Sequence, residues 1–386
     1  TNWSIRMKKI AIFTTTRSDI SILTPLIKKI RKSKKINYLL FVGGTHLNKD
    51  YGSTKKEILS DKITIHGYFD YLVKGDSKKS LSLSLANAHA QINNLFTKHK
   101  FDYVCVLGDR FEKMAIVNNA IIYNKPIIHL HGGEITEGVI DNQIRNMISK
   151  ASHLHFVICE SYKKQLMKMG EKRNRIFNLG SLAIDLIKSV KKLSKVVLCN
   201  NIKINLNTPT VILTYHPVTL EKKIPEKMQI KSIFDALKKT NYQIVVTAPG
   251  HENGRKIIDD YIKKISTKNK RIIYVKSLGH NLLFNLLPYC KFMIGNSSSG
   301  IIEAPFFKIP TINIGDRQKG RFKHTSVINC SYSKNSIQKA IKLASSIKFK
   351  KKILKSKFFF GKGNSSEKIL RQVLKIKINE QLLRKK

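Results

Sequence analysis

Short apolar runs alternate with amphipathic segments along almost the whole chain, and this rhythm restricts the fold more than any other feature. In the first half the runs are Lys9–Phe13, Tyr38–Val42, Tyr103–Leu107, Ile127–Leu130 and Leu154–Ile158, with a shorter one at Arg175–Leu179. Each is rich in Val, Ile, Leu or aromatic residues and bounded by polar residues or glycine. That pattern suits strands buried on both faces of a parallel sheet. Between them lie helical patterns. In Ile20–Ile30, Leu23, Leu26, Ile27 and Ile30 fall at spacings of three and four, with Lys28, Lys29 and Arg31 outward. Leu81–Phe96 and Glu112–Tyr123 read the same way. The second half repeats the rhythm, with strands expected at Thr210–Tyr215, Gln243–Thr247, Arg271–Val275, Phe292–Gly295 and Thr311–Ile314. Helices are expected at Ser232–Lys239, Gly254–Ile265, Leu282–Leu287 and Gly300–Phe307. Strand–helix alternation throughout predicts an α/β protein with parallel sheets.

A chain of 386 residues, 42% hydrophobic, accommodates two cores of ordinary size. The Lys- and Asn-rich segment 186–207, ending at Thr208–Pro209, reads as a linker. Two Rossmann-like doubly wound domains are therefore expected, at 7–190 and 205–365, facing a central cleft, with a basic tail at 366–386 whose last residues, 382–386, fray. Ligands bind such folds at the carboxyl ends of the strands. The formal charge is +47. A nucleic-acid or anionic-membrane footprint would concentrate that charge; here the lysines are dispersed over nearly every amphipathic segment, which reads as a solvated face. No RNA- or DNA-binding motif is present, so neither a specific nucleic acid nor a membrane is an expected partner. The five cysteines, Cys105, Cys159, Cys199, Cys290 and Cys330, form no CxxC pair and read as reduced thiols of a cytoplasmic protein. No stretch reaches membrane-span length, and Thr1–Arg6 lacks a signal-peptide core, which makes Met7 a candidate start.

Chemistry-bearing residues cluster in loops after expected strands. Thr14-Thr15-Thr16-Arg17-Ser18-Asp19 offers hydroxyls, backbone N–H groups and an Arg fork to an anion, with Ser18 or Asp19 as a helix cap. Gly108-Asp109-Arg110 places an acid at a strand end, either as a cap or at the cleft mouth. His129-Leu-His131-Gly-Gly-Glu134, Gly138-Val-Ile-Asp141 and Arg145 follow. His129 and His131 alternate, so in a strand they point the same way. Asp141 and Arg145 share a helix face. No third ligand stands at metal-site spacing, so no metal is expected. In the second half, Tyr215-His216-Pro217-Val218 closes one strand. Gly295-Asn-Ser-Ser-Ser-Gly300 closes another and opens a helix bearing Glu303, an anion-binding turn without the GK[ST] ending of a Walker loop. Gly315-Asp-Arg317-Gln-Lys-Gly-Arg321 adds two arginines.

The stretches TTTRSD, LGDRFE, HLHGGEITEGVIDNQIR, TYHPVTLE and IGNSSSGIIEAPFFKIPTINIGDRQKGR together resemble the hydrolysing UDP-N-acetylglucosamine 2-epimerases of the bacterial sialic and legionaminic acid pathways. The likeness runs from about Lys8 to Arg321, and more weakly to GKGNSSEKI. It implies a glycosyltransferase-B-like architecture, a homo-oligomer, no cofactor, and a UDP-sugar as substrate. In the family reaction UDP leaves C1 as the C2 proton is removed. Water then adds to the 2-acetamidoglucal intermediate, giving the free 2-epimer. By match to the family motifs, Asp109, Glu134 and Asp141 are the candidate acid/base carboxylates, and His131 joins them as a catalytic candidate where it departs from the pattern. Arg17, Ser21, Arg110, Arg145, His216, Ser297, Ser298, Glu303, Arg317 and Arg321 correspond to substrate- and UDP-binding positions. Many relatives carry a glutamate where this chain has His131; a histidine can still act as acid or base near neutral pH. UDP-N-acetylglucosamine is the parent substrate. UDP-N,N'-diacetylbacillosamine is the alternative, and the residues that would contact C4 and C6 are not separable in the sequence.

Overall fold

A computed structural model describes residues 7–48, 54–75, 77–218, 220–221, 223–250 and 254–385; the question of a start at Met7 concerns residues 1–6, which lie outside these. The chain divides into two compact units. One comprises Thr1–Glu134, Asp141–Lys188 and Phe360–Lys386, the other Ile135–Ile140 and Ser189–Phe359.

The first unit holds β1 (Lys8–Thr14), β2 (Ile36–Gly43), β3 (Gly67–Phe69), β4 (Tyr103–Leu107), β5 (Ile127–Leu130), β6 (Leu154–Val157) and β7 (Ile176–Asn178). They form one parallel sheet in the order β3-β2-β1-β4-β5-β6-β7. Strands β4, β5 and β6 are buried throughout, as apolar runs covered by helices on both faces must be. One core face gathers Ile10, Ile12, Leu23, Leu26, Ile27 and Leu40; the other gathers Phe13, Phe41, Phe69, Val104, Val106 and Ile148. The edge strand β3 escapes the periodicity because it has three residues, only one of them buried.

The second unit holds β8 (Thr210–Thr214), β9 (Gln243–Thr247), β10 (Ile272–Val275), β11 (Cys290–Gly295), β12 (Thr311–Ile314) and β13 (Val327–Cys330), parallel in the order β10-β9-β8-β11-β12-β13. β13 also passes unannounced, being a half-exposed edge. In each sheet the strand order reverses once, between β1 and β4 and between β8 and β11. Loops leaving such a pair diverge to opposite faces, and ligands bind in the resulting crevice.

The ends of the units differ from expectation. The linker at 186–207 contains a helix, Lys195–Ile202, capped by Ser194, with Leu198 and Ile202 buried in the second unit. The tail is not a separate element. The helix Ser365–Lys375 returns to the first unit and buries Ile369 and Val373 beside Leu26 and Ile30, together stabilising by about 3–6 kcal/mol before entropy. Asp185 caps that helix, accepting from Ser365 N (2.9 Å), Ser366 N (2.8 Å) and Ser366 Oγ (2.6 Å). Nor do residues 382–385 fray. Arg175 donates to Leu382 O (3.1 Å) and Gln381 O (2.8 Å), and Lys385 pairs with Glu171 at 3.1 Å. No described helix is long and apolar enough to cross a membrane, and all five cysteines are free thiols.

Candidate functional site

In the first unit, the loops after β1, β4 and β5 carry the candidate residues. Thr16, not Ser18 or Asp19, caps the helix Arg17–Arg31, accepting from Asp19 N. Asp19 instead ties the loop from beneath. Its Oδ2 accepts from Thr15 N (3.3 Å), Thr15 Oγ1 (3.0 Å) and the fully buried Lys113 Nζ (2.7 Å). Burial alone would raise the Asp19 pKa; the Lys113 ammonium outweighs it and holds the carboxyl below its ordinary value. The same loop is braced by His46, whose Nε2 lies 2.9 Å from Thr14 Oγ1. Arg17 forms an exposed ion pair with Glu57, and Ser21 sits half-buried one turn on.

Gly108 takes φ +75 after β4, a conformation natural to glycine, and presents Asp109. Arg110 Nε donates to Glu112 (2.9 Å), whose fully buried carboxyl would be raised by burial but is held low by Arg110 and Lys113. That neighbouring carboxylate in turn raises the Arg110 pKa.

His129 and His131 part company. His129 lies inside β5, fully buried, its Nε2 donating to Gly108 O (2.8 Å) and its Nδ1 3.1 Å from Ser149 Oγ. Burial lowers its pKa to about 3, so it is neutral, and both nitrogens are occupied by protein. His131 lies beyond the strand, with φ +66, in the left-handed region. This breaks the alternation that would have aligned the two rings. Strain of that kind in a residue other than glycine is held by its surroundings and concentrates at functional sites. His131 N donates to Phe156 O (3.1 Å), and its Nδ1 lies 2.8 Å from Glu134 Oε1. Gly132 and Gly133 permit this turn: a Cβ on Gly132 would meet His129 Nδ1 at 2.9 Å, and one on Gly133 would meet Tyr162 O at 2.5 Å.

Arg145, on the helix Asp141–Ala151, ties these loops together. Its side chain is 1% exposed, pairs with Asp109, and donates to Glu134 O (2.7 Å). The guanidinium therefore braces the acid set from within the unit. Asp109, Arg145, Glu134 and His131 thus form one connected chain of contacts, with Asp141 half-buried at the start of the helix. Among the described residues no group of three or more His, Cys, Asp or Glu side chains is arranged to hold a metal.

In the second unit, Asn296 is the hub. It is 1% exposed and follows β11. Its Oδ1 accepts from His216 N (2.7 Å), its Nδ2 donates to His216 O (2.8 Å), and its N donates to Thr214 O (3.1 Å). These bonds span the β8–β11 reversal. Its carbonyl accepts from Gln318 Nε2 (2.9 Å) and Arg317 (3.3 Å), drawing in the loop after β12. His216 Nδ1 accepts from Gly250 N (2.7 Å), which assigns any proton of the neutral ring to Nε2. Ser297 and Ser298 are half-buried beside this hub and Glu303 is buried. The helix they open is a single turn, Ser299–Ile302, and continues as a tighter 3-10 turn, Ala304–Phe307. Pro305 causes the change, since it lacks the N–H a longer α-helix needs. The dipole behind this turn is correspondingly short, so anion binding would rest on hydroxyls, arginines and individual N–H groups. Residues 135–140 belong to this unit: Glu137 N donates to Lys319 O (3.0 Å), and Gly138 packs where a Cβ would lie 2.6 Å from Asp316 O. That puts them against the loop carrying Arg317 and Arg321.

Sequence reasoning missed Glu112, Lys113, His46, Asn296 and Gln318. Asn296 stood inside a motif already singled out. Lys113 had no signal, being one lysine on a lysine-rich chain.

A family profile described as UDP-N-acetylglucosamine 2-epimerase matches residues 28–374. The GDP/UDP-N,N'-diacetylbacillosamine 2-epimerase (hydrolyzing) of Campylobacter jejuni is 38% identical, covering 89% of each chain. The UDP-N,N'-diacetylbacillosamine 2-epimerase (hydrolyzing) of Legionella pneumophila is 32% identical over 98% of this chain and 99% of its own. Among solved structures, the UDP-GlcNAc 2-epimerase of Neisseria meningitidis bound to UDP-GlcNAc superposes with a TM-score of 0.79 at 19% identity, covering 96% of this chain and all of the other. The two parallel-sheet units are thus those of the glycosyltransferase-B-like fold.

Proposed function

The chain belongs to the UDP-N-acetylglucosamine 2-epimerase family, and from that premise we propose that it hydrolyses UDP-N-acetylglucosamine to UDP and N-acetylmannosamine through a 2-acetamidoglucal intermediate. The reaction is an elimination followed by hydration. A weakly acidic C2 proton needs a positioned base, and the departing diphosphate needs donors where charge develops. The observation that carries the reading is the chain of contacts from Asp109 through Arg145 and Glu134 to His131, at the carboxyl ends of β4 and β5. It supplies acid/base groups held by buried partners, with Asp141 close in sequence as a further carboxylate. A glycosyltransferase of the same fold has no need of so dense a set. In the second unit, His216, Ser297, Ser298, Arg317 and Arg321 are the proposed donors to UDP, and Arg17 and Arg110 in the first unit are proposed anion contacts. The free thiols support a cytoplasmic setting.

A second substrate is favoured by a specific observation: the Campylobacter and Legionella relatives are both named for N,N'-diacetylbacillosamine. Proton NMR of the protein with each UDP-sugar in deuterated water, without an acceptor, separates these readings. Release of UDP with an inverted, deuterated C2 supports the epimerase, and the sugar turned over faster is the substrate. Release of UDP without inversion, or no turnover of either sugar, would refute the proposal.

A further inference from the structure

We propose that His131 is the base that takes the C2 proton and that Glu134 acts only through it, as a positioning residue. This rests on the epimerase reading above and divides roles that the motifs leave merged. Glu134 is 2% exposed and its carboxylate lies 2.8 Å from His131 Nδ1. An acceptor-only carboxylate there assigns the proton of the neutral ring to Nδ1 and leaves the Nε2 lone pair available. His131 Nε2 is buried and has no hydrogen-bond partner among the described residues, whereas both nitrogens of the neighbouring His129 are taken. Buried polar atoms left without partners are uncommon, and a reacting group is one reason for them. The backbone of His131 is held at φ +66, a conformation retained here by the His131 N to Phe156 O bond and the ring's contact with Glu134.

In the step itself the C2–H electron pair becomes the C1=C2 double bond, and UDP leaves with the electron pair of the breaking C1–O bond. The proton passes to His131 Nε2. The resulting imidazolium is stabilised by Glu134 on its other nitrogen. Water then adds to the glucal: its hydroxyl bonds to C1, a second acid protonates C2 from the opposite face, the water's remaining proton restores that acid, and His131 returns its proton to solvent. The groups that act on the pair are His129 on β5, Arg145 on the following helix and Cys159 at the cap of the helix after β6. His129 is neutral and burial raises Cys159 to about 11, so neither of these changes charge near neutral pH.

His131→Gly tests the first role, because glycine adopts φ +66 without strain and the fold should persist. Turnover of the UDP-sugar should fall at least about 10²-fold, and the isotope effect with substrate deuterated at C2 should rise. Glu134→Gln tests the second. It keeps an acceptor near Nδ1 but removes the charge that favours imidazolium, so the acid limb of the kcat/KM profile should move to lower pH. Turnover within threefold of wild type in His131→Gly, an isotope effect that does not rise, or an unmoved limb in Glu134→Gln would overturn the assignment. A wild-type enzyme that turns over no UDP-sugar would instead refute the parent reading.

Discussion

Replacing Arg145 by alanine should destabilise the first unit and abolish turnover together, because one buried guanidinium serves both. Arg145 is 1% exposed; it pairs with Asp109 and donates to Glu134 O at 2.7 Å. Removing one partner of a buried ion pair costs about 3–5 kcal/mol when the other charge stays buried. Asp109 is 23% exposed and can regain some water, which pulls the figure towards the lower end. The Glu134 carbonyl, left without this donor, adds about 1–3 kcal/mol if nothing replaces it. These terms share a network and do not add fully, so a net loss of about 3–5 kcal/mol is expected. For a unit of about 200 residues that corresponds to a fall in Tm of roughly 6–20 °C. Arg145→Lys keeps a charge but not the two-armed fork, and should lose about half as much. Differential scanning calorimetry reads both variants, with UDP release as the activity assay. If Arg145→Ala melted within 1 °C of wild type, or kept its turnover, the guanidinium would not be holding the Asp109 and Glu134 loops and the reasoning would fail.

His46, His129 and His153 are held by burial below their ordinary 6.5, at about 4, 3 and 4. The unfolded chain therefore binds more protons below pH 6.5, and each group should remove up to about 1.4 kcal/mol of stability per pH unit as pH falls towards its folded value. Tm should drop between pH 7 and 5, and a flat profile would contradict the burial of these rings. Asp185→Ala removes the cap from Ser365 N and Ser366 N and should cost about 1–2 kcal/mol. Amide exchange should quicken along 365–375 while β4 stays protected; uniform exchange would argue against a local cap. Gly138→Ala puts a Cβ 2.6 Å from Asp316 O and should displace the loop bearing Arg317 and Arg321, at about 1–3 kcal/mol. Calorimetric titration should show weaker UDP binding, and unchanged affinity would remove that loop from the proposed site.

Much of the fold is legible along the chain. Runs such as Tyr103–Leu107 and Ile127–Leu130 fall on strands with those bounds, because fully buried parallel strands are apolar at every position. The loops that follow them were legible for the same reason, since a buried run ending in Gly-Asp or His-Gly-Gly announces a strand terminus. Where three residues decide, as in β3, or where a proline ends a helix within one turn, as at Pro305, local pattern carried too little signal. The tail misled because its basic outer face is as charged as any solvated segment, while Ile369 and Val373 on the other side are buried.

The sequence by itself determined the class of fold, the rhythm of its elements and the motifs that mark the family, all properties carried by residues close together in the chain. Only the tertiary structure decided who holds whom. Asp109 meets Arg145 across 36 positions, His216 meets Asn296 across 80, and Asp185 meets Ser366 across 181. Such pairings depend on strand order and on which sheet face a helix returns to. Periodicity does not encode either, because the free energy that selects them comes from burying apolar surface over the whole unit.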